Sequence, residues 1–179
     1  MKDNKKSQNP MRNIRVEKIT LNVGAGKDEE KLKRGVKLLK KITGIEPLKT
    51  VTNKRIPNWA LRPGLSIGCK ITLRGKKAEE LLKRLLNARE YKLKIKQFDH
   101  QGNFSFGIPE YVDILGVDYD PEIKIMGLEV AVTLERPGFH IKKRKVNPKR
   151  LPSRHNITAQ EAMNFVKENF GVKEVEDEV

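Results

Sequence analysis

The spacing of apolar and polar residues changes several times along the chain, and each change marks an element. From Ile14 to Val23 the apolar positions are Ile14 and Val16, then Ile19, Leu21 and Val23. A period of two is the signature of a half-buried strand, and the change of parity after Val16 predicts a bulge or two faces used in turn. Asp28 to Thr43 switches to helical spacing: Leu32, Val36 and Leu39 share a stripe, Gly35, Leu38 and Ile42 lie beside it, and Gly44 supplies a C-terminal cap. A short strand from Pro47 to Thr52 follows. Leu65 to Leu73 is the clearest strand, with Leu65, Ile67, Cys69, Ile71 and Leu73 facing a core and Ser66, Gly68, Lys70, Thr72 and Arg74 facing away.

After Gly75, Ala78, Leu81, Leu82, Leu85 and Leu86 predict a helix from Lys76 to Arg89. Tyr91, Leu93 and Ile95 then alternate with Lys92, Lys94 and Lys96, and Asp99 to Gly102 carries turn chemistry ahead of an extended run from Asn103 to Phe106. Leu128, Val130, Val132 and Leu134 mark another half-buried strand, stopped by Pro137 and Gly138. Thr158 and Glu161 make a capping box for a final helix that reaches Phe170 and ends at Gly171. Alternating strands with three amphipathic helices predict an α+β fold: an antiparallel β-sheet with helices packed on one face and the other face left exposed. The organisation read from the chain is a flexible basic N-terminal arm (1–11), one domain (12–171) holding a long basic loop (136–157), and an acidic C-terminal tail (172–179).

Charge sharpens the picture. The 179 residues carry 38 Lys+Arg against 23 Asp+Glu, a formal charge of +15. Such an excess strains a compact chain unless a polyanion neutralises it, which points to nucleic acid or an anionic membrane. No run of about eighteen apolar residues is present to span a bilayer, and the polar start, with Lys2, Lys5 and Lys6, has no apolar stretch of a secretory signal behind it. The lone cysteine excludes an intramolecular disulfide framework, and the expected location is cytoplasmic.

Three segments are candidates for contact with a polyanion. Between Glu135 and Glu161, Arg136, Lys142, Lys143, Arg144, Lys145, Lys149, Arg150 and Arg154 run without an interrupting acid, and Pro137, Pro148 and Pro152 argue for an extended loop rather than a helix. The plain alternative is a solvated charged loop; the functional reading is an arm that orders on phosphates. Asn53, Lys54, Arg55, Asn58, Trp59 and Arg62 place the only Trp in a cationic, irregular segment, where it serves either as core or as a platform for a base. Lys70, Thr72 and Arg74 on the polar side of their strand extend the donor surface toward a sugar–phosphate backbone.

Several motifs fail. Gly24 to Lys27 stands between strand and helix, but Leu21, Asp28 and Glu29 occupy positions where a Walker loop or a Rossmann fingerprint needs other residues, so a tight turn is expected. Asp118 to Pro121 reads as a turn, the three histidines are scattered, and Cys69 lies on the core phase of its strand. No catalytic constellation, cofactor, metal or small-molecule substrate is expected. An RNA chaperone or RNA-modifying enzyme using the same basic surface is the alternative function, and a membrane-surface protein the third.

Four blocks carry a resemblance. Ile19-Thr20-Leu21-Asn22-Val23-Gly24, Arg62 to Gly75, Asp99 to Ile108, and Gly127-Leu128-Glu129-Val130 follow in the order found in the universal large-subunit ribosomal protein family numbered five. The similarity extends from Met11 to Gly171. The resemblance implies 5S rRNA binding through the open sheet face by Asn22, Thr50, Lys70, Thr72 and Arg74, in the central protuberance of the large subunit. It implies that the loop from Asn53 to Arg62 approaches P-site tRNA and that residues 103–117 bridge to a small-subunit head protein. Large-subunit rRNA and neighbouring ribosomal proteins are the further partners. The basic stretch from Phe139 to Arg154 resembles archaeal and eukaryotic cytosolic members rather than bacterial ones, and the short chain looks archaeal.

Overall fold

The computed structural model describes residues 9–175. The expectations for residues 1–8 of the basic arm and 176–179 of the acidic tail lie outside the described residues. Seven strands are described: β1 (Arg15–Gly24), β2 (Leu48–Val51), β3 (Ser66–Leu73), β4 (Lys92–Leu93), β5 (Phe104–Ile108), β6 (Leu128–Glu135) and β7 (Lys173–Glu174). The helices are α1 (Glu29–Thr43), α2 (Lys76–Asn87), the single turn α3 (His140–Lys143) and α4 (Ala159–Phe170). β2-β3-β1-β6-β5 form one five-stranded sheet whose neighbours all run antiparallel, while β4 and β7 make a separate parallel pair. The predicted α+β architecture is therefore present.

Alternation divides the sheet into two sides. Val16, Ile19, Leu21 and Val23 of β1, Cys69, Ile71 and Leu73 of β3, and Leu128, Val130, Val132 and Leu134 of β6 enter the core. The predicted irregularity in β1 is a bulge: its register against β6 shifts between Val16, opposite Leu134, and Lys18, opposite Thr133. The extra residue lets Val16 and Ile19 both point inward and turns Glu17 and Lys18 outward.

The core side is covered by α1 and α2, and α4 joins the same core through Ala162, Met163 and Val166. Asp28 caps α1 by accepting from the amides of Glu30 and Lys31, and Gly44 ends it in the left-handed region. Leu32, Leu38, Leu39 and Ile42 are buried, each contributing roughly 1.5–3 kcal/mol. Contact with the sheet is close at Gly35, where a Cβ would lie 3.1 Å from both Cys69 Sγ and Val23 Cγ1. Gly68 is tighter still, because a Cβ there would meet the Val23 carbonyl oxygen at 2.8 Å.

Three expectations need correction. The alternation from Tyr91 to Ile95 yields only the two residues of β4. Glu90 and Tyr91 both take positive φ to close the end of α2, and Ile95 enters a 3-10 turn with an exposed side chain. The basic loop is not wholly extended, since α3 forms one helical turn between Pro137 and Pro148, where neither ring breaks an internal hydrogen bond. The acidic tail does not begin free of the fold: Val172 is buried, and Lys173–Glu174 pair with Lys92–Leu93.

Candidate nucleic-acid interface

The sheet surface away from the helices is open, and the register lays its residues in rungs. One rung reads Leu48, Lys70, Asn22, Glu129, Gly107 from β2 to β5; the next reads Thr72, Thr20, Ala131, Ser105. The second rung carries only small or hydroxyl-bearing side chains, and Thr20 and Thr72 approach to 3.4 Å between hydroxyls. Acids lie there too. Asn22 donates to Glu129 at 3.1 Å, and Glu17 and Glu135 stand at the opposite end of the strands. The open side is thus mixed in charge rather than uniformly basic, because these acids are spread over two strands and no single stretch of sequence displays them together.

The two cationic segments leave the sheet at opposite ends. Residues 52–65 join β2 to β3 as an ordered excursion: the amides of Ile56 and Leu61 each donate to the other's carbonyl at 3.0 and 3.1 Å, and Gly64 N–H donates to Thr52 O at 3.0 Å. Pro57–Trp59 form a 3-10 turn closed by Ala60 at φ 54°. The Trp59 ring is 67% exposed, so it is a surface side chain and not core. Asn53, Lys54, Arg55, Asn58 and Arg62 are exposed around it. Thr50, half-buried on β2, sits opposite Gly68.

Residues 136–157 depart from the other end of β6, where strand parity separates consecutive charges. Arg136 continues the inward phase of Leu134 and is only 3% exposed. It donates to the carbonyls of His155 (3.3 Å) and Asn156 (3.1 Å) and to Glu161 Oε1 (2.9 Å). Arg136 therefore clamps the arm to α4 and leaves the set of phosphate-contacting candidates; a buried cation needs such partners, and it has no surface to offer RNA. Burial tends to raise the Glu161 carboxyl, but the Thr158 amide and the Arg136 guanidinium outweigh it and hold the group below its usual range. Lys142 donates to Gln101 at 3.3 Å and Arg144 to the Asn147 carbonyl at 2.8 Å. Lys145, Lys149, Arg150 and Arg154 are exposed.

Glu135, in the outward phase, accepts from Arg15 Nε at 2.9 Å and lies 3.9 Å from Lys143 Nζ. Lys143 also pairs with Glu17, which receives Arg74 Nη1 at 2.9 Å. Burial pushes the Glu17 carboxyl up, yet Lys143 and Arg74 prevail and keep it lowered. Sequence reasoning selects Arg74 and Lys143 but misses Arg15, Glu17 and Glu135. The readable signal is the parity change at the bulge, which sends Glu17 outward.

The rejected motifs take ordinary structural forms. The amides of Ala25 and Gly26 both donate to the Ile67 carbonyl, at 2.9 and 3.0 Å, so the glycine turn has no free cradle for a phosphate. Asp120 N–H donates to the Tyr111 hydroxyl at 2.8 Å, and Asp120 Oδ1 accepts from Glu122 N–H, within a turn. Cys69 is fully buried, and that burial pushes its thiol up to about 11. Among the described residues no cluster of His, Cys, Asp and Glu could hold a metal ion, and no helix is long and apolar enough to cross a membrane.

Fold and surface together define a basic α+β protein that presents an open sheet between two cationic excursions. Residues 9–62 match the family model described as Ribosomal protein L5, and residues 66–165 match the model for the C-terminus of the same ribosomal family. The "Large ribosomal subunit protein uL5" of Nanoarchaeum equitans is 47% identical over 167 residues, covering 93% of this chain and 98% of the relative. That of Sulfurisphaera tokodaii is 47% identical over 169 residues (94% and 96%), and that of Methanosphaera stadtmanae 42% over 164 (92% and 98%). The chain belongs to the L5 family of ribosomal proteins, as an archaeal-type member; this is a structural family of the large subunit and not a family of enzymes.

Proposed function

We propose that this chain binds 5S rRNA through the open side of its sheet and anchors it in the central protuberance of the large subunit of the cytoplasmic ribosome. Membership of a large-subunit ribosomal protein family supports the reading. The observation that carries it to these residues is the open outward side of β1 and β3, where Asn22, Lys70, Thr72 and Arg74 offer donors in adjacent rungs, with Thr50 at the margin. Openness matters because a ribose–phosphate backbone must approach within hydrogen-bond reach of several strands at once. The excursion bearing Trp59, Arg55 and Arg62 contacts P-site tRNA, and Trp59 is the stacking platform. Residues 103–117 make the bridge to a small-subunit head protein. Lys142, Lys143, Arg144, Lys145, Lys149, Arg150 and Arg154 contact large-subunit rRNA.

The test is an electrophoretic shift with purified 5S rRNA across a salt series. If about eight phosphates are neutralised, log affinity falls against log salt with a slope of roughly −6. A shallow slope, or equal affinity for unrelated RNA of the same length, overturns the reading.

A further inference from the structure

At the Arg15 end of the open sheet, five charged groups form an alternating string drawn from four parts of the chain. Arg74, just beyond β3, pairs with Glu17 in the β1 bulge; Glu17 pairs with Lys143 of α3; Lys143 lies near Glu135 at the end of β6; and Glu135 pairs with Arg15 at the start of β1. The Glu17 side chain is only 7% exposed, whereas those of Arg74 and Lys143 are 59% and 46% exposed. The acid is thus covered by its two cations while the cations keep an outer side in water. A carboxylate has two oxygens, and here Oε1 takes Arg74 and Oε2 takes Lys143.

We propose that Glu17 is a positioning residue for RNA: it fixes Arg74 and Lys143 side by side on the open sheet, so that their outward donors meet the backbone of one bound RNA already aligned. The inference rests on the 5S-binding reading above and deepens it. Two consequences follow from the geometry. Long cationic side chains lose rotamer freedom on binding, and holding them beforehand moves that loss into folding. The same bond also fastens α3 to the sheet, so the cationic arm and the sheet present one surface at this end rather than two independent ones. The acid itself is covered by its partners, which limits its repulsion of an approaching phosphate. The lowered carboxyl keeps Glu17 charged near neutral pH.

The sign of one substitution separates this role from simple electrostatics. Glu17→Gln removes a negative charge from a protein that binds a polyanion, and Coulomb attraction alone makes the variant bind more tightly. The positioning role makes it bind 5S rRNA more weakly, by about five- to tenfold, with a salt slope shallower by roughly 1–2. In an Arg74→Gln/Lys143→Gln background the same change costs nothing, since no cations remain to be positioned. Glu17→Asp keeps the charge but shortens its reach, and it shows an intermediate loss while disturbing the fold less. Thermal melting of each variant confirms that folded protein is compared. Where Glu17→Gln melts below the assay temperature, Glu17→Asp decides: weaker binding supports the positioning role and unchanged binding overturns it. Equal or tighter binding by the folded Gln variant, or an undiminished loss in the double background, also overturns the proposal. Absence of 5S binding by the unsubstituted protein overturns the functional reading instead, so the two failures are distinct.

Discussion

Two neighbouring residues at the end of β6 show how one step of strand parity decides a side chain's role. Glu135 turns outward to Arg15 and Lys143; Arg136 turns inward to Glu161 and two carbonyls. In the sequence Arg136 is simply the first of eight cations, and nothing in composition distinguishes it from Lys142 or Arg150. The deciding information is the phase of Leu134, which is legible, together with the position of α4, which is not. Arg136→Ala is expected to destabilise the fold by about 1–3 kcal/mol, because two carbonyls lose their donors and the partly exposed Glu161 loses its cation. Chemical denaturation measures this. The salt slope for 5S rRNA stays within about one unit for the folded variant, and a normal stability with a reduced slope shows that Arg136 works on RNA after all.

Among elements, those whose signal is periodic are legible in the sequence. The bulge in β1, the cap at Asp28, the strand through Cys69 and the Thr158–Glu161 capping box all appear where local pattern puts them. Tyr91 to Ile95 misleads because alternation over five residues cannot register the left-handed pair Glu90–Tyr91 that ends α2. The mixed charge of the open sheet is hidden for a different reason: Glu17 meets Arg74 only across the β1–β3 pair, and Glu129 and Glu135 meet Asn22 and Arg15 only across the β1–β6 pair. The ordered excursion around Trp59 and the sheet around Arg74 are separate elements at opposite ends of the strands, and their substitutions should separate as well. Arg74→Ala is expected to weaken 5S binding by about 1–3 kcal/mol in shift assays. Trp59→Ala leaves that affinity within about twofold, well under 1 kcal/mol, and instead lowers crosslinking to P-site tRNA in reconstituted subunits. Similar losses in both assays for both variants mean that the two surfaces have been divided wrongly.

For the molecule as a whole, a formal charge of +15 sits on a fold whose interior is ordinary. Glu17 and Glu161 both have carboxyls lowered from the free value of 4.5. A lowered folded value means that each group favours the folded state at pH above the free value and gives up that contribution as pH falls through its own lowered range. Acid also raises the positive excess, so the two effects act in the same direction. The urea midpoint is expected to fall between about pH 5 and pH 3, more gently in added salt, and Glu161→Gln should flatten that descent. An unchanged acid limb in Glu161→Gln removes this carboxylate from the account.

The position of β1 also governs how the protein is made. It lies between β3 and β6, so the strand formed from residues 15–24 gains its second neighbour only when residues 128–135 have been synthesised. At about 5–20 residues per second, the nascent chain carries one unsatisfied edge of its central strand for roughly 5–20 seconds. Slow decoding ahead of residue 128 lengthens that window, leaving the β6-facing edge of β1 open for longer before the sheet closes.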